Sequence, residues 1–130
     1  MDRTISVLLA DDDESYLDSL RVLVEQQPGL AVVGVAHDGM EAIECVDELD
    51  PDAVVIDLHM PRLDGVSAIA RLRRDHSHLC LIALTGDAEP RLHRAVEDAG
   101  ADAVMLKGQL LDGLTARIAS VRRERSAISA

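Results

Sequence analysis

Asp11, Asp12, Asp57, Thr85 and Lys107 are the residues of this chain whose types and positions could do chemistry together. Asp57 directly follows the apolar run Ala53-Val54-Val55-Ile56, and Asp11-Asp12-Asp13 follows Ile5 to Ala10. Thr85 follows Cys80 to Leu84, and Lys107 follows Ala103 to Leu106. Each run has the length and composition of a buried strand. Ligands of an open parallel sheet collect outside the carboxyl ends of its strands, so these polar residues are expected to converge on one pocket. Three carboxylates gathered there repel one another by roughly 4 kcal/mol per pair at about 4 Å and an effective dielectric near 20. Lys107 offsets part of that repulsion. A hard divalent cation, Mg²⁺ (or Mn²⁺), held through carboxylates, waters and a phosphate oxygen, offsets the remainder. So neutralised, Asp57 is set to attack a phosphorus centre as a nucleophile and form an aspartyl phosphate. Lys107 and the cation would then hold the transferred oxygens. The Thr85 hydroxyl is placed to hydrogen-bond a phosphoryl oxygen, and small Gly86 leaves room for a phosphodonor or an attacking water.

The elements that must position these groups are legible as five βα repeats in which short β-branched runs alternate with helical periodicity, the pattern of an α/β protein built on a parallel sheet. The spacing predicts a first helix with Leu17, Leu20 and Val24 on its inner face, capped by Asp13 and stopped at Pro28-Gly29. A second strand over Ala31 to Ala36 leads through His37-Asp38-Gly39 into a helix with Ile43, Val46 and Leu49 inside, stopped at Asp50-Pro51. Val66, Ile69 and Leu72 mark a third helix that ends in the basic run Arg71 to Arg74. A fourth helix, from near Glu89 to Gly100, buries Leu92, Val96 and Ala99. A fifth uses Leu111, Leu114, Ile118 and Val121. Residues 1–122 are expected to form one domain, with 123–130 a tail or linker stub.

With Asp11-Asp12 as an acidic pair, Asp57 within Asp-x-x-Met-Pro-x-x-Asp-Gly, Thr85 and Lys107, the chain resembles the response-regulator receiver domains of bacterial two-component systems over residues 4 to about 122. The resemblance implies a flavodoxin-like (βα)5 doubly wound sheet of order 2-1-3-4-5, a topology that receiver proteins exemplify. It implies Asp57 as phosphoacceptor, Thr85 as switch hydroxyl, and Mg²⁺ held by Asp11, Asp12, Asp57 and the main-chain carbonyl of His59. A sensor histidine kinase would be the phosphodonor in a phosphorelay. The face built by helix four, strand five and helix five would switch binding to an output domain or effector protein, or to a second copy of the chain. Such a domain catalyses only its own phosphorylation and dephosphorylation. His59, Gly86 and Asp87 are positions that would tune the lifetime of the phosphorylated state. Two residues depart from the family pattern. Val104 stands where receivers commonly carry a switch Tyr or Phe, and Gly108 stands where proline often follows the lysine.

The charge balance narrows the partners. Thirteen Lys and Arg against 24 Asp and Glu give a net charge of −11, a field that repels phosphate backbones and anionic lipid. Direct nucleic-acid binding and membrane association are therefore not expected. The apolar start is too short for a signal peptide and no later run reaches membrane length, which predicts a cytoplasmic protein. Cys45 and Cys80 form neither a metal-spaced pair nor a disulfide framework. His76-Ser77-His78-Leu79-Cys80 has metal-ligand types, but a loop running into a strand would scatter them. His59 and His93 are expected on the surface, and Arg71, Arg73 and Arg74 as a solvated helix end. Tyr16 is read as a packing residue or as part of a kinase-docking surface. Two other functions remain open. One is an interaction module of the same fold that signals without phosphorylation. The other is an aspartate-nucleophile phosphatase, although such enzymes generally carry a cap or a second acid where this chain has His59.

Overall fold

Alternate residues along each strand face opposite sides, so a sheet covered on both faces needs strands that are apolar throughout. β3 (Ala53–Asp57) and β4 (Cys80–Thr85) meet that demand: every residue of both is buried. In the computed structural model, residues 4–86, 89–108, 113–114 and 116–120 are described. Flanking the two central strands are β1 (Ile5–Ala10), β2 (Leu30–Ala36) and β5 (Ala103–Leu106). The helices are α1 (Glu14–Glu25), α2 (Gly39–Leu49), α3 (Gly65–Asp75) and α4 (Pro90–Ala99), followed by α5, helical at 114 and 116–120. The strands pair in parallel in the order β2-β1-β3-β4-β5, the doubly wound arrangement expected from the sequence. Among the described residues no helix is long and apolar enough to cross a membrane.

The pleat sorts the core into two layers. Leu8, Val54, Ile56 and Leu81 pack with Ile43, Val46, Ile69, Leu72 and Val96 of α2, α3 and α4. Val7, Leu9, Val55 and Ile82 pack with Leu17, Leu20 and Val24 of α1 and with Leu114 and Ile118 of α5. The inner faces of the first and third helices are as the periodicity predicts. Leu92 and Ala99 of α4 are only half-buried against the first layer. Leu111, Val121 and the tail 123–130 lie outside the described residues.

Helix starts are set by aspartates. The side chains of Asp13, Asp38 and Asp64 accept the backbone N–H of Tyr16, Glu41 and Ser67 at 3.2, 2.8 and 2.8 Å. Each satisfies a donor that the first helical turn leaves open, a contribution of about 1 kcal/mol. Asp50 ends α2 in the left-handed conformation, φ 47°.

Two expectations are corrected. Leu49 is 44% exposed instead of buried, because the last turn of α2 lies over β2, an edge strand whose residues are largely half-exposed. Arg73 is not part of a solvated charge run. Its guanidinium donates from Nε to the Gly100 carbonyl at 2.9 Å, from Nη1 to the Leu79 carbonyl at 2.8 Å and from Nη2 to Asp102 Oδ2 at 2.8 Å. That same Asp102 oxygen accepts the Leu81 N–H at 2.8 Å. With the two side chains 18% and 12% exposed, the pair fastens the end of α3 to the amino ends of β4 and β5, away from the polar strand ends. Removing one partner of such a pair strands the other's charge in a dry place. Arg73→Ala is therefore expected to lower unfolding stability in urea by roughly 3 kcal/mol, whereas exposed Arg71→Ala and Arg74→Ala should change it by less than about 0.5 kcal/mol.

Candidate phosphoacceptor site

Parallel register brings the polar residues to one edge. Ala10 is aligned with Ile56, Asp57 with Leu84, and Thr85 with Leu106, so Asp11, Asp57, Thr85 and Lys107 all leave the sheet at about the same level. Asp11 and Thr85 are fully buried and Asp57 is 3% exposed, while Asp12 is exposed. Carboxylate oxygens of Asp11, Asp12 and Asp57 lie within 4.8 Å of one another. Lys107 reaches between them, with Nζ 2.8 Å from Asp11 Oδ2 and 3.4 Å from Asp57 Oδ1. The second oxygen of Asp11 accepts the Asp13 N–H at 2.9 Å.

This crowding shows in the ionisation of the groups. Burial pushes the Asp57 carboxyl above the usual aspartate range, and the charge of Asp11 pushes the same way. The Lys107 ammonium and the His59 backbone N–H, which hydrogen-bonds the carboxylate, oppose them without cancelling them. For Lys107, burial works against the charged form, but the hydrogen bond to Asp11 and the charges of Asp57 and Asp11 outweigh it and raise the pKa. One lysine thus serves two buried carboxylates. The oxygen-only donor set of Asp11, Asp12 and Asp57 suits a hard cation.

The loop after β3 is built for close approach. A Cβ on Gly65 would overlap the carbonyl oxygen of Asp57 and stand 2.6 Å from Leu58 Cα, so only glycine lets α3 begin against the strand end that carries Asp57. Its N–H donates to the Leu58 carbonyl at 3.1 Å. Asp64 beside it caps α3 and accepts the Ser67 hydroxyl at 3.0 Å. Gly39 plays the same part for α2, where a Cβ would overlap the Leu63 carbonyl. Arg62, at φ 64°, pairs with buried Asp38, its Nε donating at 2.9 Å. The Asp-Gly of residues 64 and 65 and that of 38 and 39 are thus one device used twice.

With this geometry in view, the family model of the response regulator receiver domain matches residues 7–119. The chain belongs to that family. Response regulator MprA of Mycobacterium ulcerans is 36% identical over 120 residues, which cover 92% of this chain and 51% of the relative. A protein-glutamate methylesterase/protein-glutamine glutaminase of Methanospirillum hungatei is 38% identical over 106 residues, 79% of this chain and 31% of the relative. The response regulator domain of Thermotoga maritima CheB superposes with a TM-score of 0.86 at 26% identity, covering 93% of this chain and 98% of that one. The receiver spans about half or less of the length of these curated relatives.

The receiver domain brings together Asp11, Asp12, Asp57 and Lys107, with Thr85 on the adjoining strand end. Gly86 is exposed and a Cβ there would meet nothing within 4 Å; Asp87 lies outside the described residues. The His59 side chain is exposed, as expected, but His93 is half-buried and its Nε2 is buried without a hydrogen-bond partner. This corrects the surface assignment: His93 lies on α4 one turn before buried Val96. The His76 to Cys80 segment does scatter. His76 Nε2 pairs with Asp47 at 3.0 Å, His78 is exposed and Cys80 is buried in the core, and among the described residues the aspartate trio alone has the spacing of a metal site. Val104 is half-buried and lines an open cavity of about 410 Å³ with Met105, Gly113, Ala116, Arg117 and Ser120. Sequence reasoning missed the contact of Tyr16 with Lys107, whose Nζ lies 4.4 Å from the ring centroid. A lone aromatic four residues after an acidic pair was the available signal.

Because the folded domain holds the Asp57 pKa above its ordinary value, ionised Asp57 costs stability. That cost is absent below the ordinary aspartate pKa and grows as the pH rises through the raised value. In magnesium-free buffer, Asp57→Asn is expected to raise the melting temperature by a few degrees near neutral pH and by less near pH ~4. Calorimetric scans at both pH values check this; a melting temperature lowered near neutrality would contradict it.

Proposed function

We propose that this receiver accepts a phosphoryl group on Asp57 from a sensor histidine kinase, in the presence of Mg²⁺ (or Mn²⁺), and that this modification controls a partner. The observation that supports the reading best is the single ammonium of Lys107, 2.8 Å from Asp11 and 3.4 Å from Asp57, beside carboxylates close enough to share a cation. A carboxylate nucleophile flanked by an ammonium and by a place for a hard cation is suited to receive a phosphoryl group and then hold it.

In the proposed reaction an Asp57 oxygen forms a bond to phosphorus while the P–N bond of the donor phosphohistidine breaks, its electron pair returning to the imidazole. Asp11, Asp12, Asp57 and the His59 carbonyl would hold the metal ion, which when bound supplies positive charge against the phosphoryl oxygens. Lys107 moves from sharing two carboxylates to bonding a phosphoryl oxygen. The Thr85 hydroxyl turns to another of these oxygens, and the segment after β4 follows it. His59 and Gly86 border the path of an attacking water and so tune how long the acyl phosphate lasts.

The receiver unit is taken to span residues 1–122, with 123–130 as a tail or linker stub. One relative bears a response-regulator name and another an enzyme name, so the output attached to or bound by this domain is either a regulator or an enzyme. The net charge of −11 favours a protein partner over direct contact with nucleic acid or membrane, and a cytoplasmic setting fits a kinase-driven switch. Switching through α4, β5 and α5, whether to a partner or to a second copy, has to proceed without an aromatic at position 104, where Val104 borders open space.

Acetyl phosphate with Mg²⁺ should give a hydroxylamine-labile phosphoryl adduct detectable by intact mass. The adduct should be absent in Asp57→Asn, and Lys107→Met should form it at least roughly tenfold more slowly. A wild-type protein that forms no adduct with either acetyl phosphate or a competent kinase would instead favour the phosphorylation-independent module.

A further inference from the structure

Tyr16 is the only aromatic residue of the chain, and it lies in the first turns of α1, immediately after the acidic pair. Its ring is a partly buried member of the layer formed by Leu17, Leu20, Leu114 and Ile118. The Lys107 ammonium stands 4.4 Å from the ring centroid, within the range at which a ring face attracts a cation. The same nitrogen bonds Asp11 at 2.8 Å and lies 3.4 Å from Asp57. The phenolic oxygen, by contrast, is buried with no hydrogen-bond partner. A buried hydroxyl left unpaired opposes folding, so the polar end of Tyr16 does not account for its place here. The face of the ring does.

A lysine side chain has four rotatable carbons and a strongly hydrated head, and the side chain of Lys107 is 27% exposed. Asp11 alone would draw the ammonium to its own side, since it is the nearer carboxylate. A second attractive surface limits the arrangements left to the ammonium and keeps it within reach of Asp57. We propose that Tyr16 is a positioning residue for Lys107: the ring face preorganises the ammonium for the phosphoryl oxygens that arrive on Asp57. This rests on the reading of Asp57 as phosphoacceptor. In such a role the ring matters and the hydroxyl does not.

The test is a double-mutant cycle on the full chain, with the rate of adduct formation from acetyl phosphate and Mg²⁺ followed by intact mass. Tyr16→Leu keeps an apolar side chain in the layer and removes the ring. It is expected to slow adduct formation roughly threefold or more, and Tyr16→Phe should restore the wild-type rate. In a Lys107→Met background, Tyr16→Leu should have no further effect, because no ammonium remains to be positioned. Equal slowing in both backgrounds would show that the ring acts only by packing. That result would overturn the proposal, as would an unchanged rate in Tyr16→Leu or a Tyr16→Phe variant as slow as Tyr16→Leu. Wild-type protein that forms no adduct would remove the phosphoacceptor reading and this inference with it. An adduct on wild type together with any of the three adverse results removes this inference alone.

Discussion

The structure of this domain turns on electrostatic repulsion between two carboxylates buried at one edge of a sheet. Asp11 and Asp57 are shielded from water, and a single ammonium, 2.8 and 3.4 Å from them, answers both. Two negative charges in a poorly screened place cannot both be satisfied by one positive charge, and the Asp57 pKa is raised first by burial and then by the charge of Asp11. Stability alone would remove one of the acids. Their presence together is what the proposed reading requires, in which the site would gain positive charge and then an anionic group from outside. Everything that brings them together follows from the parallel register, which delivers the site residues at the ends of β1, β3, β4 and β5 without any long loop to order.

How much of this was legible before the fold was known depends on whether the signal was local. Strand runs such as Ala53 to Ile56 and Cys80 to Leu84 announce themselves because parallel strands buried on both faces are apolar throughout, and a polar residue ending each run marks the edge where ligands gather. Caps such as Asp13 are local too, since the acceptor and the donor it serves are three residues apart. Arg73 was misjudged because its partners, Gly100 and Asp102, are 27 and 29 residues away, and helical periodicity says nothing about what lies beyond the helix end. Leu49 was misjudged for a related reason. The heptad-like spacing names a face, but only the sheet order shows that this part of the face meets an edge strand. Tyr16 and Lys107 are 91 residues apart, by subtraction of their positions, and the local hint is limited to an aromatic four residues after the acidic pair.

Glycine defines the second constraint on the site. Gly65 allows α3 to start against the backbone of Asp57 and Leu58, and Asp64 beside it caps the helix. The Asp-Gly of residues 38 and 39 repeats the arrangement at the start of α2, where Arg62 also pairs with the capping acid. The loop between β3 and α3 is therefore fastened at both ends. Its rigidity holds Asp57 and the backbone of His59 in a fixed relation. The loop after β4 carries Gly86, around which a Cβ would meet nothing. One wall of the site is tightly packed around Gly65, while Gly86 on the other has room for a Cβ.

Side-chain size also sets position 104 apart. A bulky ring at position 104 would report a change at Thr85 by moving between two packed positions; a valine has no comparable second arrangement, and the space beside it is open. The aromatic surface of this chain is instead on α1, in contact with Lys107 and continuous with the core layer beneath α5. The ammonium of Lys107 faces that ring directly, whereas Thr85 and Val104 lie on neighbouring strands two residues apart in register. Coupling in packed proteins requires a contact with two distinct states. Tyr16 meets the contact half of that criterion, touching both Lys107 and the layer of Leu17, Leu114 and Ile118.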